Sequence, residues 1–318
     1  MMFLTVNEVA KQSYTTKNMN ETMLIKRIKN KLQKIFDSFA GQLKFNRIKK
    51  DFDIIKASTQ KLALENLVEL DKAYPPRASK VGQQRYSIKG RKAYTENLFE
   101  NVIKPRLRNE SNIKAVLEVA GKDGLIHSKF EEAGLKYTMV DLSDKYFDPK
   151  LVEKGICQQG SALNLPFKDD SFDFSYSIDA LEHISDPKIA IEELVRVTRP
   201  GGVIFLSFGP LYNSSGGPHA NWLINIPYFH ILFSEETINN FLKSTGRGAL
   251  SVYCNRQPLA LYNEAFEDKR LECEYSKIFQ NYRHLDIVKK HLPIFKAASS
   301  DLREFTTAII VKKFRVKK

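Results

Sequence analysis

The residues best suited to chemistry in this chain sit at three places. The first is Val116-Leu117-Glu118-Val119-Ala120-Gly121-Lys122-Asp123-Gly124, an apolar run that ends near an acid and then turns through small residues. A buried strand running into such a turn, and then into a helix, sets a carboxylate beside backbone that a nucleoside-bearing ligand can approach closely. The second is Asp179-Ala180-Leu181-Glu182-His183. A neutral imidazole at His183 is fitted to take a proton from a hydroxyl near pH 7. Asp179, Glu182 and His183 also offer oxygen and nitrogen donors to a divalent cation, with His230 or His219 completing the set. The third is the segment 208–236, which carries Tyr212, His219 and His230 among aromatic residues. Laid over the other two, it would exclude water and orient an acceptor. A packed lid whose histidines only hydrogen-bond backbone is the other reading of the same residues.

Positioning these groups requires a sheet. Strands are expected at 115–119, 136–140, 155–158, 172–177 and 203–208, with helices at 125–133, 189–197 and 235–244. This alternation implies right-handed crossovers and a mostly parallel sheet, whose carboxyl edge collects the strand-end residues. Asp186 before Pro187 is a helix start, a capping carboxylate followed by a ring already at helical φ, and Pro200-Gly201-Gly202 ends that helix. Segments 249–253 and 306–311 are expected to close the sheet as an antiparallel pair, with a helical insert at about 261–295 between them. Ahead of the first strand, Met23, Leu24, Ile28, Leu32, Ile35, Phe36, Phe39, Leu43 and Phe45 recur at three- and four-residue steps. That spacing predicts an amphipathic helix over 21–55, broken near Gly41 and continued over 62–70. A further helix at 94–106 leads into the first strand. Residues 1–110 thus read as a basic helical extension and 111–318 as an α/β domain.

Composition narrows the class. The chain has 318 residues, 42% hydrophobic and 27% charged, enough for one α/β domain with added elements. No apolar run approaches the ~20 residues of a membrane span, and no export signal is expected from the pattern of residues 1–12. Three cysteines, Cys157, Cys254 and Cys273, show no paired or metal-like spacing, and a reducing cytoplasm is the expected location. The net charge of +13 is unevenly spread, at about +12 over residues 1–110, −5 over 111–250 and +6 over 251–318. Basic flanks suit RNA, an anionic lipid surface or an anionic substrate, and equally a solvated helical surface. Aromatic residues are not interleaved with Lys and Arg as a nucleic-acid stacking platform would require.

Several short motifs follow in a fixed order: Leu117-Glu118-x-Ala120-Gly121, Val140-Asp141-Leu142, Gly160-Ser161-Ala162-x-x-Leu165-Pro166-Phe167, Ser171-Phe172-Asp173, Asp179-Ala180-Leu181-Glu182-His183-Ile184, and Leu194-Val195-Arg196-Val197-Thr198-Arg199-Pro200-Gly201-Gly202. Over about residues 111–254 this order resembles class I S-adenosylmethionine-dependent methyltransferases. The resemblance implies a Rossmann-like three-layer sandwich around a mostly parallel seven-stranded sheet. It places Glu118 and the turn through Ala120, Gly121 and Gly124 against the methionine portion of S-adenosylmethionine, and Asp141 on the ribose hydroxyls. It places Ser161 and Ala162 at the adenine, and Ser177 to Asp179 on the sulfonium side. The acidic-x-x-Glu-His spacing is similar to that of ubiquinone-biosynthesis O-methyltransferases and small-RNA 2′-O-methyltransferases, with Asp179 where those usually have Glu. The segment after the fifth strand resembles members that modify glycans and other small molecules.

Two departures from the family pattern stand out. Where the first turn usually carries three glycines, this chain has Ala120, Lys122 and Gly124, and Ser161 replaces a frequent Asp. A lysine where glycine is common either clashes with the ligand, points outward or pairs with its carboxylate. The expected activity is methyl transfer to an oxygen or nitrogen of a small molecule or saccharide, with His183 as base. The alternatives are an RNA methyltransferase that holds phosphates with the basic N-terminal lobe, and a non-catalytic binding protein of the same fold. S-adenosylmethionine is the expected cofactor, and no divalent metal is assigned, although Asp179, Glu182, His183 and His230 could hold one.

Overall fold

The computed structural model describes residues 30, 33–34, 37–76, 88–108, 110, 112–252 and 254–317. The apolar strand β1 (Ala115–Val119) is buried along nearly its whole length, as a central parallel strand covered on both faces must be. It pairs in parallel with β2 (Lys136–Asp141) on one side and with β4 (Phe172–Ile178) on the other. Outside these lie β3 (Cys157–Gln159) against β2 and β5 (Thr198–Phe208) against β4, also parallel. Two antiparallel strands, β6 (Leu271–Gln280) and β7 (Thr307–Val316), complete the order β3-β2-β1-β4-β5-β7-β6. The direction of winding changes between β1 and β4, so a crevice opens there at the carboxyl ends of the strands. The expected Rossmann-like, mostly parallel seven-stranded sheet is therefore the one observed.

Local chemistry explains the main helix starts. Asp186 accepts hydrogen bonds from the backbone of Lys188 and Ile189 at 3.0 and 3.1 Å and opens the helix Pro187–Val197. Ser234 accepts from Thr237 at 3.1 Å and opens Glu235–Ser244. Asp173 on β4 accepts from the backbone of Lys114 and Ala115 at 2.6 and 2.8 Å and pairs with Arg199, which pins the entry of β1 beside β4.

Three expectations need correction. Residues 249–252 form no strand; the partner of β7 is β6, which lies inside the segment read as a helical insert. That segment is instead the helix Leu259–Ala265, strand β6, and the helices Leu285–Lys290 and Leu292–Ala298. β6 is an edge strand exposed over most of its length, so it lacks the apolar alternation that marks a strand in sequence. What holds it is the ladder to β7 and cross-strand ion pairs of Glu274 with Lys313 and Arg315 at 2.9 and 2.6 Å. The third correction concerns Gly41, which does not break its helix: residues 37–54 are continuous. A Cβ at that position would sit 2.6 Å from Tyr282, so the glycine serves close packing. The part of that expected helix before residue 30, and the turn residues 77–87, lie outside the described residues.

Apolar packing divides into three regions. One layer, with Leu194 and Tyr262, covers one sheet face, and another, with Phe99 and Phe130, covers the other. The third lies off the sheet and joins Phe45, Ile48 and Phe52 of the 37–54 helix and Leu67 of Leu64–Ala73 to Phe229, Leu242, Phe295 and Phe305. Among the described residues, no helix is long and apolar enough to cross a membrane.

Candidate active site

The turn after β1 is built on left-handed backbone. Ala120, Lys122 and Gly124 have φ of 63°, 65° and 64°, so the three positions where glycine was expected share the glycine conformation although two carry side chains. The backbone N–H of Lys122 donates to Oδ2 of Asp141 at 3.0 Å, and Ser143 donates to Oδ1 at 3.0 Å. The ammonium of Lys122 lies 4.9 Å from the centre of the Tyr146 ring. Gly121 and Gly124 are held by contact: a Cβ would come within 2.6 Å of Glu118 at the first and 2.5 Å of Cys157 at the second.

A cavity of about 510 Å³ opens at this turn, in the crevice between β1 and β4. One wall is Glu118 with residues 120–123; the opposite wall is Asp179, Glu182, His183, Gly209, Pro210 and His219. Arg91, Tyr94 and Thr95 of the helix Ile88–Leu98 form a third side. Tyr94 donates to Oδ2 of Asp179 at 3.2 Å, and Arg91 pairs with Asp123 at 2.9 Å. Arg91 Nε is buried with no hydrogen-bond partner among the described residues. These three side chains were absent from the sequence reading, which had only a helix at 94–106 leading into β1. No local motif marks them, because their role depends on that helix crossing the mouth of the crevice.

Burial sets the protonation of Glu118, Glu182 and His219. The Glu118 carboxyl is pushed up to about 7 by burial, against the Tyr137 hydroxyl that donates to it. Burial likewise raises Glu182 to about 8, and its Oε2 has no hydrogen-bond partner among the described residues. His219 is lowered to about 4, first by burial and then by the neighbouring His183, which keeps it neutral at pH 7. The His183 and His219 rings meet edge to face with centres 5.0 Å apart. Asp179 and His219 have φ of 52° and 54°. Among the described residues, four of the seven non-glycine residues with positive φ, Ala120, Lys122, Asp179 and His219, line this one cavity, where strained backbone tends to gather.

The remaining candidates lie elsewhere. Asp141 sits directly behind the turn, and Gly160 donates to its carbonyl at 2.9 Å, which draws the Ser161-Ala162 corner alongside. The Ser161 hydroxyl itself accepts from Leu163 at 3.1 Å. Ser177 is buried, its hydroxyl without a hydrogen-bond partner among the described residues, and does not line the cavity. Tyr212 and His230 pack against each other, ring centres 4.7 Å apart, outside the cavity. Both ring nitrogens of His230 are shut off from solvent with no hydrogen-bond partner among the described residues, and burial lowers its pKa to about 3. It lies outside the cavity that Asp179, Glu182 and His183 line, so the metal set that included it is not gathered. The histidine that does approach His183 is His219.

Residues 117–206 match the family model described as "Methyltransferase domain". An uncharacterized methyltransferase of Mycobacterium sp. (strain JLS) is 35% identical over 106 residues, 33% of this chain and 42% of that protein. One from Mycobacterium leprae (strain TN) is 32% identical over 144 residues, 44% of this chain and 51% of that protein. The matches thus span about half the length of these relatives or less. A solved S-adenosylmethionine-dependent methyltransferase of Methanosarcina mazei is 16% identical, with a TM-score of 0.42, covering 67% of this chain and 97% of that one. Residues 117–206 are thus similar to a methyltransferase domain, and they are set in a seven-stranded sheet of order β3-β2-β1-β4-β5-β7-β6, the class I fold.

Proposed function

We propose that the chain transfers a methyl group from S-adenosylmethionine to an oxygen or nitrogen of a small molecule or saccharide. The observation that carries this reading is the convergence of residues 120–123 and the Asp179–His183 segment on one cavity at the carboxyl ends of β1 and β4, with Asp141 bonded directly behind the turn. Glu118 and the turn face the methionine portion, and Asp141 accepts from the ribose hydroxyls once they displace its backbone partners. Ser161 and Ala162 flank the adenine, while Asp179 lies toward the sulfonium and Ser177, buried behind it, supports the strand end. The Arg91 guanidinium is suited to the ligand's carboxylate because its Nε has room for one more acceptor.

The residues of the chain contribute mainly by orientation. Holding a sulfonium methyl and a nucleophile in line removes most of the entropic barrier to a bimolecular displacement. His183, at the far wall, takes the proton of an acceptor hydroxyl as the new bond forms. The neighbouring helix Ile88–Leu98 narrows access for water, which favours a charged donor reacting with a neutral acceptor.

Calorimetry with S-adenosylmethionine and with its demethylated product tests the reading. Saturable heat with both, lost in Asp141→Ala, is expected. Absence of heat and of any thermal shift at millimolar ligand would overturn it. Acceptors are then sought among methylated products formed in lysate fractions, and binding without any product would leave a scaffold of the same fold.

A further inference from the structure

Three distant segments meet at the cavity wall formed by His183 and His219, and each brings a metal-binding side chain. His183 comes from the turn after β4, His219 from the loop after β5, and Cys254 from the segment that follows Glu235–Ser244. The donor atoms of these three residues all lie within 4.8 Å of one another. Tetrahedral coordination by two imidazoles and a thiolate separates its donors by roughly 3.3–3.8 Å, given metal bonds of about 2.0–2.3 Å. Small side-chain rotations close the remaining gap. The arrangement is tied in place by backbone: Asn255 N donates to Glu182 O at 2.8 Å, and Asn255 Nδ2 donates to the carbonyls of Leu181 and Ile184 at 3.0 and 2.6 Å.

We infer that His183, His219 and Cys254 form a binding site for a divalent cation of the zinc class, facing the methyl acceptor. Nitrogen and sulfur donors select that class over magnesium or calcium. His219 has the disposition of a ligand: it hydrogen-bonds the Pro210 carbonyl, while its buried Nε2 has no hydrogen-bond partner among the described residues. Metal-bound histidines are commonly oriented in this way, by a carbonyl on the nitrogen away from the metal. The Cys254 sulfur is buried against the Gly217 carbonyl at 2.6 Å and is held as a thiol. Binding replaces its S–H bond by a sulfur–metal bond and releases one proton to solvent. The thiolate then offsets one of the two positive charges, and the other is left to the group that fills the fourth position. The fourth position faces the cavity, and there the metal would hold and acidify an acceptor hydroxyl or thiol. Only this last role rests on the proposed methyl transfer.

Cobalt(II), which substitutes for zinc and reports its ligands by absorption, is the probe. It is added to the full chain in a Cys273→Ser background, so that the exposed cysteine cannot contribute, with neither S-adenosylmethionine nor acceptor present. The expected result is one cobalt per chain with a thiolate-to-cobalt band in the near ultraviolet. Cys254→Ser should abolish that band, and His219→Asn, which tolerates the positive φ, should weaken binding by at least about tenfold. Circular dichroism and melting establish that each variant is folded. No binding at millimolar cobalt, a spectrum without the thiolate band, or a band that survives Cys254→Ser would overturn the inference. Because the readout uses no methyl donor, its failure and failure of the methyltransferase reading are seen separately.

Discussion

The backbone N–H of Lys122 donates to Oδ2 of Asp141 at 3.0 Å, so the turn after β1 and the acid that ends β2 are one unit. The lysine does not force the turn onto a different path; it adopts the left-handed conformation and lays its ammonium near Tyr146. The conformational cost of that choice is testable. A non-glycine residue in the left-handed region costs about 1–2 kcal/mol, while a glycine there loses about 0.5–1 kcal/mol of backbone entropy on folding. Lys122→Gly should therefore be neutral to stabilising by about 1 kcal/mol in urea unfolding. Gly124→Ala, at the same φ but with Cys157 2.5 Å from the new Cβ, should destabilise by roughly 1–3 kcal/mol. Equal effects of the two substitutions would contradict this account of the turn.

Arg91 provides a test of cofactor orientation. Its truncation removes a charge-assisted contact worth about 1.5–3 kcal/mol, so Arg91→Ala should weaken S-adenosylmethionine binding by roughly 10- to 100-fold. An analogue lacking the amino-acid carboxylate should bind wild type and variant alike. If both ligands lose affinity equally in calorimetry, Arg91 shapes the cavity without contacting the carboxylate.

Glu118 makes stability depend on pH in a definite direction. Its folded value, about 7, lies above its ordinary 4.5, so the unfolded chain releases this proton first. The stability it contributes is complete below pH 4.5 and is lost as the pH rises through about 7, at no more than about 1.4 kcal/mol per pH unit. His230 acts oppositely: its folded value near 3 means that stability falls as the pH drops below 6.5. Denaturation across pH 5–8 should show the difference between wild type and Glu118→Gln growing with pH, in favour of the variant. A difference independent of pH would mean that Glu118 is ionised in the folded protein at all these pH values.

The N-terminal helix 37–54 is predicted to be structural. Phe52 is fully buried against Phe305, ring centres 6.1 Å apart, with the Lys296 ammonium over its face. Phe52→Ala should cost about 3–5 kcal/mol, read as a shift in urea midpoint at unchanged slope. A cost under about 1 kcal/mol would show that this helix packs loosely on the rest of the chain.

The reach of the sequence follows from how local each signal is. Strands β1, β2, β4 and β5 were legible because each is an apolar run ended by turn residues, and the helix after Asp186-Pro187 because its cap and first turn lie within four residues. The Glu118 to Gly124 turn, Asp141 and the Asp179–His183 segment were legible for the same reason, each standing at the end of a recognisable strand. β6 was not, since an exposed edge strand is held by its neighbour's carbonyls and by Glu274 pairing with Lys313 and Arg315, partners that its own pattern does not reveal.

The chain by itself determined the alternation of elements, and with it which strand ends meet at the crevice, because hydrophobic periodicity and turn chemistry act over a few residues. Only the tertiary structure decided that His219, and not His230, faces His183, and that Arg91 and Tyr94 close the cavity. It also brought Cys254 to the two histidines through the bonds of Asn255 to the 181–184 turn. Those relationships span 36 residues of chain between His183 and His219 and 85 between Tyr94 and Asp179. Their distances are set by how helices and loops pack on the sheet, which no local pattern encodes.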